Sequence, residues 1–135
     1  MAITYSNDNQ RRFASSRALT VDTTLTPADS GKIIYLDAVG EAITLPAVGD
    51  SAGVSLKFIV TAAVITSNWT IAATTAKIYG QVVEAGLVQL ASAETTMTIV
   101  ATSKATFGDW LSLECDGVNW YLAGQFGVAG SFTTA

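Results

Sequence analysis

The sequence predicts an all-β domain, either an antiparallel β-sandwich or jelly roll or a small barrel, with an extended N-terminal arm in front of it. From about Thr20 onward the chain consists of short apolar runs rich in Val, Ile, Thr and aromatic residues. Gly, Asp, Asn or Pro interrupts these runs about every 8 to 12 residues, a spacing typical of strands and turns in all-β proteins. A helical period is almost absent.

The charge distribution divides the chain into an arm and a body. Residues 1–20 carry three arginines and one aspartate, whereas the remaining chain carries four lysines and ten acids. Residues 6–10 are polar and show no apolar period. We therefore predict an extended basic arm over residues 1–20 and a single acidic all-β domain over residues 21–135.

The first predicted elements of the body are a turn and two strands. Residues 26–31 contain a proline and a glycine, which favour a turn by fixing one φ and allowing another to be positive. Strands are predicted at residues 32–36 and 42–45, and a short glycine-containing loop separates them. This order predicts a β-hairpin over residues 32–45.

The middle of the body continues as a series of short strands. Residues 54–61 alternate strictly, so that Val54, Leu56, Phe58 and Val60 are predicted to face the core. Further strands are predicted at residues 68–71, 77–82, 87–90 and 95–101. Residues 87–94 also fit one or two helical turns, although capping residues are missing there.

Residues 109–124 give the strongest local signal. Two runs of alternating apolar residues flank the Asp116-Gly117 pair, which favours a tight turn. This pattern predicts a β-hairpin. The glycine-rich tail that follows Gly124 is expected to be loosely held unless a neighbouring molecule binds it.

The composition of the 135-residue chain limits its chemistry. There is no His, one Cys, 50% hydrophobic and 13% charged residues. Without His, imidazole base catalysis, Ser/His or Cys/His nucleophile pairs and His-containing metal sites are excluded. Average domains carry about 25% charged residues, so this shortage of charge predicts apolar surface that is covered by copies of the chain or by another protein.

Charge and hydropathy also bear on the partners. The net charge of −4 argues against nucleic acid as the main partner, because duplex binding depends on neutralising phosphates. The most apolar stretch, residues 58–65, is much shorter than the roughly 20 residues of a membrane-spanning helix. The first ten residues lack the features of a secretory signal. We therefore expect synthesis in a cytoplasm and neither nucleic acid nor membrane as a partner.

The acidic residues and the cysteine are interpreted as structural. Most of the acids lie in predicted turns, where a carboxylate accepts hydrogen bonds from nearby backbone N–H groups. These are Asp29, Asp37, Glu41, Asp50, Asp109 and Asp116. Cys115 shares a predicted face with apolar residues and has no basic neighbour in sequence. No catalytic residue, metal ligand or cofactor site is predicted, and we expect a protein that is not an enzyme.

Two sets of residues are candidates for binding a partner. The aromatic candidates are Trp110, Trp120 and Tyr121. They could stack on sugar rings at the surface, or pack in the core and across strands. The basic candidates are Arg11, Arg12 and Arg17. They could dock the arm on an acidic protein surface through bidentate carboxylate pairs, or remain solvated.

Several stretches resemble a pattern found in small virion proteins of tailed bacteriophages, most closely the capsid decoration, or cement, proteins. The resemblance rests on residues 25–37 (LTPADSGKIIYLD), 43–46 (ITLP), 58–61 (FIVT) and 116–121 (DGVNWY). It covers roughly residues 25–122, and similar stretches also occur in tail and fibre proteins. The matching residues are strand and turn signatures and are carried over only as determinants of the fold.

The resemblance implies a β-rich protein, commonly a homotrimer, that sits on the capsid exterior at three-fold positions and ties neighbouring major capsid subunits together. It also implies synthesis in the cytoplasm of a host bacterium. Two alternatives remain: a host-attachment or carbohydrate-binding module of a phage tail or fibre, and a small barrel that holds an apolar ligand. Exposed aromatic rings are expected for the former, and a co-purifying ligand for the latter.

Overall fold

The computed structural model describes residues 16–75, 77–102 and 104–135, with side chains from residue 19 onward. These residues form twelve strands and two short 3-10 turns, Pro27–Asp29 and Val48–Asp50, so the all-β prediction is confirmed. The strands are β1 (Ser16–Ala18), β2 (Thr23–Thr24), β3 (Ile33–Leu36), β4 (Ala42–Thr44), β5 (Ser55–Val60), β6 (Trp69–Ala72), β7 (Ile78–Glu84), β8 (Leu87–Glu94), β9 (Thr96–Ile99), β10 (Trp110–Cys115), β11 (Trp120–Phe126) and β12 (Phe132–Thr134).

The strands form two sheets around one core. The seven-stranded sheet has the order β1-β3-β5-β10-β11-β7-β8, and the five-stranded sheet has the order β12-β9-β6-β4-β2. Buried side chains from both sheets belong to a single hydrophobic cluster, in which Trp69, Trp120 and Phe58 are 0% exposed. Full burial of a large apolar side chain stabilises a fold by about 1.5–3 kcal/mol, so this cluster is the main source of stability.

The first six strands alternate between the two sheets along the chain. Strands β1, β3 and β5 are neighbours in one sheet, and β2, β4 and β6 are neighbours in the other. Each of these neighbouring pairs is parallel, because the chain returns to a sheet in its original direction after one visit to the other sheet. Strands β11 and β7 are also parallel. The prediction of an antiparallel fold is therefore wrong: both sheets are mixed.

The predicted hairpin over residues 32–45 is likewise wrong. Its two strands exist as β3 and β4, but they lie in different sheets and do not pair. Their loop crosses from one sheet to the other instead of folding back. The crossing is fixed by the start of β6 and the loop before it: the Gly40 N–H donates to Ser67 Oγ at 2.8 Å, and the Trp69 indole N–H donates to the Asp37 carbonyl at 3.1 Å. These partners are about 30 residues away in sequence, so local pattern could not reveal them.

The second half of the chain contains the local hairpins. Strands β10 and β11 pair antiparallel with Leu113 opposite Leu122, which confirms the hairpin predicted over residues 109–124. Gly117 has a φ of +95° in its turn, a conformation that side-chain-bearing residues rarely adopt. Strands β7 and β8 form another antiparallel pair, joined at Ala85-Gly86. Residues 87–94 are thus a strand rather than helical turns.

Both ends of the described chain are more tightly integrated than expected. Strand β12 pairs antiparallel with β9 and completes the five-stranded sheet, and the Phe132 ring stacks on Phe126 at 5.4 Å. The expectation of a loosely held tail is therefore wrong, because the two phenylalanines anchor it in the core. At the other end, β1 pairs with β3 and Leu19 is 3% exposed. Residues 16–19, within the segment that the sequence assigned to the arm, therefore pack against the body.

Candidate functional site

The seven-stranded sheet has one face in the core and one face toward solvent. In β5, the buried Leu56, Phe58 and Val60 alternate with Lys57 and Ile59 on the opposite side. The same alternation holds in β10 and β11, where buried residues of one strand lie opposite buried residues of the next. The strand register therefore defines which side chains share the solvent side.

We call this solvent side the outer face. Its members follow from the alternation of burial and the pairing of β3, β5, β10, β11, β7 and β8. They are Ile33, Tyr35, Ser55, Lys57, Ile59, Trp110, Ser112, Glu114, Tyr121, Ala123, Gln125, Tyr79, Gln81, Val83, Val88, Leu90 and Ser92. Lys57 and Glu114 are the charged residues in this set.

Aromatic and aliphatic side chains dominate the outer face. Tyr121 of β11 lies directly beside Tyr79 of β7, and Trp110 of β10 lies directly beside Ile59 of β5. The Lys57 ammonium lies 5.0 Å from the centroid of the Trp110 ring, a cation–π contact. Strands exposed to water normally alternate apolar and polar residues, whereas strands apolar on both sides are typical of sheets covered on both faces.

The five-stranded sheet offers a comparison within the same molecule. Its solvent side follows from the same alternation in β2, β4, β6, β9 and β12. It carries Thr24, Thr44, Thr70, Thr96, Thr98 and Thr133, together with Ala42 and Ala72. Threonine has a hydroxyl for water and a branched carbon that suits a strand, so this face is well adapted to solvent. The outer face of the larger sheet lacks this adaptation to solvent, because aromatic and aliphatic side chains dominate it.

Strand β8 extends the apolar character of the outer face to the edge of the sheet. Leu87, Val88 and Leu90 are 67%, 55% and 71% exposed. Val88 and Leu90 lie beside Val83 and Gln81 on the outer face, whereas Leu87 lies beside Glu84 on the core side of the sheet. The beginning of β8 therefore exposes apolar side chains on both sides of the strand.

One border of the outer face is organised by a carboxylate. Asp116 Oδ1 accepts hydrogen bonds from the Val118 and Asn119 N–H groups at 2.8 and 2.7 Å, and Oδ2 accepts one from the Tyr121 hydroxyl at 2.8 Å. The hydrogen bonds from the Asn119 and Val118 backbone, followed by that from Tyr121, lower the pKa of Asp116. The same bond to Asp116 raises the pKa of Tyr121. The contact fixes the orientation of the Tyr121 ring.

Other carboxylates in predicted turns also accept hydrogen bonds from backbone N–H groups, as expected. Asp29 accepts a hydrogen bond from the Thr26 N–H at 2.9 Å and pairs with Lys32 at 2.7 Å. Asp109 accepts hydrogen bonds from the Thr106 and Gly127 N–H groups at 2.9 and 3.0 Å. Three of these contacts each lie within a single turn, and the bond from Gly127 to Asp109 joins two loops 18 residues apart.

The predicted binding residues do not share one location in the structure. Trp110 and Tyr121 lie on the outer face, and Tyr121 is 46% exposed. Trp120 is 0% exposed, so its prediction as a surface contact is wrong: β11 turns this residue toward the core, where it lies opposite Cys115. The backbone of Arg17 lies in β1 opposite Ile34. Arg11 and Arg12 lie outside the described residues.

Sequence reasoning missed several members of the outer face, notably Tyr35, Tyr79 and Lys57. A signal was present, because β3 (IIYL) and β7 (IYGQVVE) are apolar at adjacent positions rather than at every second one. Such runs indicate strands covered on both faces. The grouping of these residues on one surface depends on the strand order, which local pattern does not contain.

Among the described residues, no group of three or more His, Cys, Asp or Glu side chains is placed to hold a metal ion. No helix in this part of the chain has the length and apolar character needed to cross a bilayer. No family model, curated protein or solved structure matches the chain.

Proposed function

We propose that the chain is a structural protein of a bacteriophage particle: a capsid decoration protein that binds the outer surface of the head and bridges major capsid subunits. The observation that carries this proposal is the outer face of the seven-stranded sheet. It is wide, rich in aromatic and aliphatic residues, and charged only at Lys57 and Glu114 among its described members. A face of this kind suits a large, flat protein partner.

The chemistry of the outer face supports protein binding. Tyr and Trp are enriched among the residues that contribute most to protein interfaces, and charged residues are depleted at interface centres. Covering the aromatic rings of Tyr79, Trp110 and Tyr121 would stabilise a complex by about 25 cal/mol for each Å² of apolar area removed from water. Lys57 and Glu114 would contribute to orientation more than to affinity.

The proposed mechanism is added contact area on the closed shell. Packaged DNA exerts an outward force on capsid subunits, and a protein that binds only their assembled arrangement lowers the free energy of that arrangement. Several equivalent contacts in one oligomer act together, because binding of the first raises the effective concentration of the others. The resemblance to decoration proteins supports a homotrimer at three-fold positions of the capsid exterior, made in the bacterial cytoplasm.

Two finer points of architecture belong to the same proposal. We propose that the two sheets pack face to face as a sandwich, since side chains of both contribute to one hydrophobic cluster. We also propose that residues 1–15, with Arg11 and Arg12, act as an arm that reaches an acidic capsid surface. The arm would add charge-assisted contacts to the apolar contact of the outer face.

The proposal is tested with particles that lack the protein. Purified chain is added to them, bound protein is measured by co-sedimentation, and its position is determined by electron cryo-microscopy. In Ala123→Glu, a charge is placed at an exposed, central position of the outer face, and we expect at least tenfold weaker binding. In Thr133→Glu, the same charge is placed on the threonine face of the smaller sheet, and binding should be unchanged.

Both variants should keep the wild-type circular dichroism spectrum, because the substituted positions are exposed. Equal binding by Ala123→Glu and wild type would show that the outer face does not contact the particle. Loss of binding only in Thr133→Glu would assign the contact to the smaller sheet.

A carbohydrate-binding or host-attachment module of a tail or fibre is the second candidate. The pair of neighbouring rings at Tyr79 and Tyr121 favours it, because sugars stack on exposed aromatic faces. Lys57 lies over the Trp110 ring and opposes stacking there. Binding to a glycan array that is lost in Tyr121→Ala, together with no binding to capsids, would favour this candidate over the first.

A further inference from the structure

We propose that the edge strand β8 is a contact between two copies of this chain, which pair their β8 strands antiparallel about a two-fold axis to form one continuous sheet. This inference concerns the edge of the sheet, which shares Val88 and Leu90 with the outer face, and it does not depend on the proposed function. It begins with the edges of the two sheets. A strand at a sheet edge presents unpaired N–H and C=O groups that can pair with another strand.

Strand β8 is unusual among the four edges. The edge strands β1, β2 and β12 have three, two and three residues, whereas β8 has eight. Very short strands protect an edge because they offer few groups to pair with. The length of β8 therefore makes it the one edge in the described chain that can support an extended strand pair.

Strand β8 also lacks the side chains that usually prevent pairing. Residues 87–93 (LVQLASA) contain no charge and no proline, although lysine and proline are the common protective residues of exposed edges. Leu87, Val88 and Leu90 are more than half exposed, on both sides of the strand. A partner resting on the outer face would leave Leu87 in water. A strand that continues the sheet would cover both sides.

A second copy matches this edge better than an unrelated partner. In an antiparallel pair centred on Gln89, Val88 of one copy lies opposite Leu90 of the other, and Leu87 lies opposite Ala91. The uncharged segment therefore pairs with itself, and no like charges face each other. The other described edges are too short to match an eight-residue strand. A two-fold contact also pairs the long β8 edges of both copies, so that no third copy can add there and the assembly is closed.

The size of the contact predicts its strength. Stable dimers usually bury about 800 Å² on each partner, and one strand edge with three exposed aliphatic side chains provides less than this. We therefore expect a reversible dimer in solution rather than a permanent one. A two-fold contact joins copies in pairs, so a homotrimer would require a different surface, and β8 would then link neighbouring trimers.

The test measures the mass of the full-length chain by sedimentation equilibrium over a wide concentration range. The wild type should show a monomer–dimer equilibrium. Leu90→Lys, which puts a charge at the contact, should raise the dissociation constant at least tenfold. Gln81→Lys is the matched control, because Gln81 lies beside Leu90 on the neighbouring strand and is exposed, yet is not on the edge. Its dissociation constant should equal that of the wild type.

A second measurement covers the case in which Leu90→Lys fails to fold. In the proposed register the two Gln89 residues face each other, within the roughly 4.4–6.8 Å between Cα atoms that a disulfide spans. Gln89→Cys should form a disulfide-linked dimer on mild oxidation. Leu87→Cys should not, because the two Leu87 residues would be about 14 Å apart. A wild type that stays monomeric at several hundred micromolar, or equal cross-linking of both cysteine variants, would overturn the proposal.

Discussion

At the scale of single residues, Asp116 shows how one carboxylate organises a border of the outer face. Its two oxygens accept hydrogen bonds from two backbone N–H groups of the β10–β11 turn and from the Tyr121 hydroxyl. An aspartate that begins a turn commonly bonds the backbone two residues on. The same residue here orients an exposed aromatic ring. A local turn signal in the sequence is thus linked to the outer face, for which we propose a partner contact.

The first prediction concerns the pH dependence of this contact. Hydrogen bonds lower the pKa of Asp116 in the folded state below its ordinary value of 3.8. Its contribution to stability is therefore present above the unfolded-state pKa and is lost as the pH falls through the folded-state pKa. Asp116→Asn should melt at a lower temperature than the wild type at pH 6, and this difference should shrink as the pH falls from 4 to 2.

The melting temperatures are measured by circular dichroism across that range. Tyr121→Phe removes one of the three donors to Asp116 and should reproduce part of the pH dependence of the difference. A constant difference between wild type and Asp116→Asn at every pH would show that ionisation of Asp116 contributes nothing.

The second prediction concerns Gly80, where β7 passes close to β11. Gly80 has a φ of +136°, and a Cβ atom added there would overlap the Leu122 carbonyl oxygen. Gly80→Ala should therefore lower the free energy of unfolding by about 3 kcal/mol or more, through backbone strain and the displacement of a paired strand. Gly49→Ala is the control, since the space around Gly49 is open. Urea unfolding that gives equal stabilities for both variants would contradict the close approach.

At the scale of secondary-structure elements, contacts between distant strands explain where local interpretation succeeded and failed. The β10–β11 hairpin was predictable because four residues connect its strands and Asp116-Gly117 forms the turn. Strands β3 and β4 have a similar local pattern but enter different sheets. Their separation is held by the start of β6 and the loop before it, through the hydrogen bonds from Gly40 to Ser67 and from Trp69 to Asp37. Whether a segment forms a strand depends on nearby residues, whereas the strand with which it pairs depends on residues far away in the sequence.

The third prediction concerns the link between the two sheets at Glu84. This residue is 5% exposed at the end of β7, and its Oε1 accepts a hydrogen bond from the Phe132 N–H of β12 at 2.9 Å. Glu84→Leu would leave the buried N–H without this acceptor and should lower stability by about 1–3 kcal/mol. Glu84→Gln retains an acceptor and should be closer to the wild type. The comparison is made by urea denaturation, and a Leu variant as stable as the Gln variant would show that the hydrogen bond is unimportant.

At the scale of the whole molecule, the two sheets differ in what their solvent sides present. The smaller sheet shows threonines, and the larger one shows aromatic and aliphatic side chains with an unprotected edge at β8. The apolar outer face of the larger sheet contributes to the unusual composition of the chain, which has 50% hydrophobic and 13% charged residues. Part of this apolar excess lies on the outer face and at the β8 edge, which the proposed capsid contact and the proposed second copy would cover. The rest includes exposed loop residues such as Phe107 and Val118.

The fourth prediction concerns residues 1–15. Deleting them leaves β1 and its pairing with β3 intact, so the body should keep its β signal and melting temperature. Under the proposed function, occupancy on capsids should fall, because Arg11 and Arg12 are removed. The double variant Arg11→Ala/Arg12→Ala is the matched control for chain length. Full occupancy of the truncated protein, measured by co-sedimentation, would show that the arm does not contribute.

The amino-acid sequence was enough to predict the all-β class, most strand positions, the β10–β11 hairpin and the hydrogen bonding of several acids in turns. These features depend on alternation, turn residues and burial preference, which act over a few residues. The placement of Tyr121 and Trp110 on the solvent side could also be predicted, because they alternate with buried residues of their own strands.

The three-dimensional fold was needed to establish the sheet order, the parallel pairing of the first six strands, the burial of Trp120 and the assembly of Tyr35, Tyr79 and Lys57 into one outer face. Each of these depends on which strands become neighbours, and the contacts that choose neighbours join residues far apart in the chain. The free energy that selects them comes from burying side chains of both sheets in a single core. This burial is a property of the whole chain and not of any segment.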